Sequence, residues 1–166
     1  MSTLYVDNLA EKSSNHGVHI PGHFIQTQVG YRTVWTPTTS YALVSTGLAV
    51  TITPKFNTSQ ILITIGLNGI YTQEAAHYVR FHLYKGSSDI TGISTAHGQA
   101  LASSSNETEY ATSLSAIYLD SPATTSSTTY SVYMGSSHSV SVGICNYGIG
   151  GNGSTRSTIM AQELAQ

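Results

Sequence analysis

The sequence predicts an all-β sandwich or barrel, and three observations carry that expectation. Short apolar runs alternate with polar residues at a period of two, clusters of Gly, Pro, Asn and Ser separate the runs, and no stretch holds a sustained helical period. Composition agrees with a chain of hydroxyl-rich strands: 24 of the 166 residues are Ser, 22 are Thr and eleven are Tyr. Hydrophobic residues make up 40%, too many for a disordered Ser/Thr tract. One domain of ordinary size accommodates the length.

The elements follow in order. Phe24–Val34 and Tyr41–Ser45 open the series. Leu48, Val50 and Ile52 then alternate with Ala49, Thr51 and Thr53 until Pro54 ends the run, since proline cannot donate to a sheet ladder. Ile61, Ile63, Ile65 and Leu67 make one face of the next strand, with Leu62, Thr64, Gly66 and Asn68 on the other. Val79, Phe81 and Leu83 alternate with Arg80, His82 and Tyr84, and Gly86-Ser87-Ser88-Asp89 is expected as a turn. Tyr110–Leu119, Tyr130–Met134, Val140–Ile144 and Ser157–Leu164 complete about nine strands, each with one face to bury, as in antiparallel sheets. The tail Met160–Gln166 is the best remaining candidate for a helix, and it is short. Residues 1–23 alternate weakly and read as an extended N-terminal arm, so the chain divides into 1–34, arm and first strand, and 35–166, the sandwich. Residues 98–109 and 146–157 are small and polar and are expected as long loops.

Charge excludes several functions. Charged residues are only 8% of the chain, against roughly 25% in a typical soluble protein. Six Lys and Arg against eight Asp and Glu leave no basic footprint for nucleic acid or an anionic membrane surface. The single Cys145 excludes an intramolecular disulfide framework and a cysteine-rich zinc site. The opening Met-Ser-Thr-Leu-Tyr-Val-Asp has neither the charged nor the apolar region of a signal peptide, and no apolar run approaches a membrane span. No Sec-type export and no membrane insertion are expected.

Candidate chemistry is sparse. His16, His19 and His23 fall close together and would offer neutral nitrogens to a metal, on a symmetry axis included. With no cysteine nearby and Glu11 the nearest carboxylate, solvated histidines are the expected reading, so no metal and no cofactor is assigned. His77 and His82, five apart on a strand-like segment, point to opposite faces and cannot share a ligand. There is no Gly-x-Ser-x-Gly elbow; glycoside hydrolysis would need two acids at a cleft, whereas Glu107 and Glu109 fall in a polar loop, so a hydrolase acting on host polysaccharide is the enzymatic alternative and not the expected reading. The chain is expected not to be an enzyme. The stretch Gly148 to Gly153 lacks both the phosphate-loop pattern and a following helix. Tyr, Ser, Asn and Gly enrichment is also the composition of binding surfaces, which makes Asn146, Tyr147 and Asn152 the candidate ligand contacts. Most other tyrosines, Tyr118, Tyr130 and Tyr133 among them, are expected in the core or between subunits.

Several segments carry a resemblance: Leu4-Tyr5-Val6-Asp7-Asn8-Leu9, Gly17-Val18-His19-Ile20-Pro21-Gly22-His23, Gly47 through Pro54, Gln60-Ile61-Leu62-Ile63, Asp120 through Tyr130, and the ending Ser157 through Ala165. On these the chain resembles small fibre-like structural proteins of tailed bacteriophages of marine bacteria, with Asp-Ser-Pro-Ala-Thr-Thr the most specific stretch. The resemblance implies an antiparallel jelly roll of the tumour-necrosis-factor-like kind, assembled as a homotrimer on the virion. The arm would dock on other virion proteins, and host surface glycan would be a further partner. A collagen-like or coiled-coil shaft is missing, so a capsid or neck decoration protein stands as one alternative. A carbohydrate-binding adhesin acting alone is the second.

Overall fold

A computed structural model describes residues 20–72, 79–91, 110–137, 141–145 and 155–166, with the isolated positions 10 and 139. The described residues form ten strands and no helix: β1 (Phe24–Arg32), β2 (Thr36–Thr38), β3 (Val44–Ile52), β4 (Gln60–Thr72), β5 (Val79–Lys85), β6 (Ser88–Thr91), β7 (Tyr110–Asp120), β8 (Thr128–Ser136), β9 (Val142–Ile144) and β10 (Ser157–Leu164). Every pairing is antiparallel. One sheet runs β1-β10-β4-β7, with β9 and β2 extending it beyond the end of β10, and the other runs β3-β8-β5-β6. Strands distant in sequence lie side by side in each layer, as in a jelly roll.

The core lies between the layers and follows from the alternation. Ile61, Ile63, Ile65 and Leu67 of β4, with Ile159 and Ala161 of β10, face Leu48, Val50 and Ile52 of β3, Val79, Phe81 and Leu83 of β5, and Tyr130, Val132 and Met134 of β8. Two bulges keep long strands in phase with this core. In β4 the pairing with β7 shifts between Leu67 and Ile70, where Gly69 takes a φ of 61°; an L side chain resists that conformation. In β3 the pairing with β8 shifts between Ser45 and Ala49, around Gly47. The two separate strands expected over 41–52 are therefore one, bent strand.

Further differences have simple causes. The turn expected over Gly86–Asp89 is shorter: only Gly86 and Ser87 turn, and Ser88 already pairs with Lys85. The tail is strand through Leu164 rather than helix, because β1 and β4 hydrogen-bond to both its sides. β1 lies along β10 for its whole length. Its entry is fixed by the Gly22 amide donating to the Ala165 carbonyl (2.9 Å) and the Ala165 amide donating to the His23 carbonyl (2.9 Å). Most of the expected arm, the loop 98–109 and most of the loop 146–157 lie outside the described residues.

The sandwich closes along one side where β1 meets β3. Gly30 sits so near β3 that a Cβ there would overlap the Ala49 carbonyl oxygen, with the carbonyl carbon at 2.8 Å and Ile159 Cγ2 at 3.1 Å. The absent side chain allows the two layers to touch through their backbones.

Candidate functional site

Of the candidates the sequence offered, His16, His19, Asn146, Tyr147 and Asn152 lie outside the described residues. His23 is exposed at the turn before β1, where its backbone amide donates to Ile20 (3.0 Å). No group of three or more His, Cys, Asp or Glu gathers as a metal cradle among the described residues. No described helix is long and apolar enough to cross a membrane. Cys145 is buried, and its Sγ donates to the Arg32 carbonyl at 3.2 Å.

Two polar clusters are built into the inward rows. Asp120, at the end of β7, accepts the Tyr130 hydroxyl (2.7 Å) and pairs with Lys85 Nζ (3.0 and 3.1 Å), so β7, β8 and β5 meet at one charge. The carboxylate of Glu163, fully buried on β10, accepts the amides of Lys55 (2.7 Å) and Phe56 (3.2 Å) and Gln26 Nε2 (2.6 Å). The same Gln26 amide donates to Thr53 (2.7 Å), which ties the segment after β3 to β1 and β10.

Tyr130 is fully buried, and that burial pushes its phenol well above its usual range; the hydrogen bond to Asp120 and that carboxylate's charge add to the rise, and Tyr118 contributes least. An unfolded chain loses this proton near pH 10 while the folded chain keeps it. The neutral phenol's contribution is therefore complete below pH 10, and stability falls by about 1.4 kcal/mol per pH unit above it. Urea unfolding between pH 8 and 11 should show this decline, and Tyr130→Phe should lose the component due to Tyr130.

The two outer faces differ in chemistry. On the sheet containing β4, register aligns three rows: Ile117–Thr64–Met160–Val29, Leu119–Leu62–Gln162–Thr27 and Ser115–Gly66–Thr158–Tyr31. Ile117 is 73% exposed, Tyr31 62%, Val29 59% and Leu119 47%, and no charged residue occurs in the three rows. Arg156 lies at their margin, its guanidinium 4.8 Å from the Tyr31 ring centroid.

The outer face of β3-β8-β5-β6 instead aligns Ser45–Tyr133–His82 and Ala49–Ser131–Tyr84–Asp89, beside a Thr51–Thr129 pair. Tyr84 and Tyr133 stack with ring centroids 4.1 Å apart at 27°. His82 Nδ1 lies 2.7 Å from Asp89 Oδ2, and the Thr51 and Thr129 hydroxyls are 2.8 Å apart. At the far end the Arg80 guanidinium donates to the Tyr41 carbonyl and covers the Tyr41 ring at 4.1 Å; Gly135 beneath leaves it room.

Of the three tyrosines expected in the core or at an interface, Tyr130 is in the core, Tyr118 packs against it, and Tyr133 stands on this outer face. Sequence reasoning missed both faces. One signal was present: Ile117 and Leu119 fall out of phase with Leu114, Ala116 and Tyr118, so β7 is apolar on two sides, the pattern of a strand covered on both. No protein-family model matches the chain, and no curated protein is significantly similar to it.

Proposed function

We propose that the chain is a non-enzymatic structural protein of a bacteriophage virion, a homotrimeric fibre- or knob-like appendage engaged in host attachment and held to the particle by its N-terminal arm. The observation that carries this reading is the uncharged apolar face across β1, β10, β4 and β7. Val29, Ile117 and Leu119 come from separate stretches of sequence and meet there in adjacent rows, each about half or more exposed. Covering them would contribute about 1–2 kcal/mol each, and large exposed apolar side chains gathered on one uncharged sheet face mark an interaction surface. A ring of identical copies closes such contacts without leaving an open end. The low charge fraction suits a subunit whose surface is occupied by its own copies, and the phage-fibre resemblance supplies the number three and the location.

Light scattering on the full chain should give the mass of three protomers. Ile117→Asp, placed where the side chain is 73% exposed, should leave the fold intact and release monomers. A wild-type monomer at high concentration, or an Ile117→Asp trimer as stable as the parent, would overturn the reading.

A further inference from the structure

We propose that the outer face of β3-β8-β5-β6 is a saccharide-binding surface that takes a neutral glycan through Tyr84, Tyr133, His82 and Asp89. The inference deepens the attachment role above, which supplies the host glycan; the recognition chemistry itself stands on the face alone.

The face holds no Leu, Ile, Val, Met or Phe in its aligned rows, in contrast to the opposite layer. What projects instead is an aromatic pair beside hydroxyl and carboxylate groups. Tyr84 and Tyr133 are diagonal neighbours, and their stacking at 4.1 Å fixes both rings before any ligand arrives. A tyrosine offers a rigid apolar plane with a polar end at little entropic cost, which suits a sugar ring with its C–H face and hydroxyl rim. Next to this pair, Asp89 spends Oδ2 on His82. A carboxylate has a second oxygen and an imidazole a second nitrogen, so the dyad presents polar atoms at a fixed separation, as neighbouring sugar hydroxyls require. On the β3 side Ser45, Ala49 and Thr51 are small, so a sugar ring laid beside the two larger tyrosines would meet little steric obstruction there.

Charge selects the ligand class. Arg80 is engaged with Tyr41, Lys85 with Asp120 and Asp89 with His82. On the described part of the face the Arg80 guanidinium stands against the Asp89 carboxylate, one charge of each sign, so there is no excess of positive field to hold a phosphate or sulfate, and a neutral polyhydroxyl chain matches it. A protein partner matches it less well, because the aligned rows offer no aliphatic side chain larger than alanine to bury.

The test is a printed array of neutral glucose, galactose and mannose oligosaccharides, with sulfated heparin oligosaccharides as the charged control, probed with the full chain. The strongest neutral ligand is then titrated by calorimetry. Tyr133→Ala should weaken binding at least tenfold, and Asp89→Asn, at an exposed position, several-fold; Tyr133→Phe should retain most of it. Asp89→Asn keeps the proposal testable if Tyr133→Ala fails to fold. Absence of any neutral ligand, preference for the sulfated control, or binding unchanged by Asp89→Asn would each overturn it. Ile117→Asp should leave the affinity per protomer unchanged. A monomer that still binds therefore removes only the trimer, and a trimer that does not bind removes only this surface.

Discussion

Gly30→Ala is expected to destabilise the protein by about 3 kcal/mol or more, an unusual penalty for a single methyl group. Overpacking a core typically costs about 1–3 kcal/mol, because side chains can shift to make room. Here the obstacle is backbone. The added carbon would overlap the Ala49 carbonyl oxygen, and the Ala49 carbonyl carbon would stand 2.8 Å away. Relief requires β1 to separate from β3, yet β1 is held by β10 from Phe24 to Arg32. Strain is thus passed into the β1–β10 ladder. Urea unfolding should show a lowered midpoint, and amide exchange should show lost protection concentrated in β1. A variant as stable as the parent would mean that the two layers do not touch at this point.

Glu163→Ala should cost about 3–5 kcal/mol. Its carboxylate is fully buried and accepts three N–H donors, two from the Lys55–Phe56 backbone and one from Gln26. Hydrogen bonds to a charged group contribute about 1.5–3 kcal/mol each, and donors left buried without an acceptor carry a further penalty. Glu163→Gln should fall between the parent and the alanine variant. Its amide oxygen can still accept the two backbone amides, but its NH2 would face the Gln26 NH2, which is itself committed to Thr53. Chemical denaturation of the three proteins orders them; equal stability of all three would show that the segment after β3 is held by other contacts.

Glu163 also marks where the sequence was hard to read. The core was legible because alternation puts Ile61, Ile63 and Ile65, or Val79, Phe81 and Leu83, on one side of a strand. Glu163 and Asp120 occupy inward positions of such rows, and nothing in period two says that a backbone turn or a phenol waits there as partner. β2 and β6, with three and four residues, are too short for a periodic signal and exist because a neighbouring strand offers hydrogen bonds. The bulges at Gly47 and Gly69 look, in sequence, like strand breaks. Apart from the doubly apolar β7, the outer faces were not legible, for a different reason. Ile117 and Val29 share a row only through β4 and β10, and Tyr84 meets Tyr133 only through the β5–β8 register. A face assembled from distant strands has no local pattern.

The two outer faces lie on opposite sides of one thin sandwich, and this geometry bears on how strongly a trimer would hold a host. If the apolar faces meet at the centre, the tyrosine-bearing faces must all point away from it. Three identical sites on one rigid body then act together on a repetitive surface. Once one sugar chain is engaged, the others bind at a high effective concentration, and avidity can exceed single-site affinity by about 10²–10⁴-fold. Weak individual contacts would suffice, and each could be released singly, so a particle could roam over a cell before committing to it.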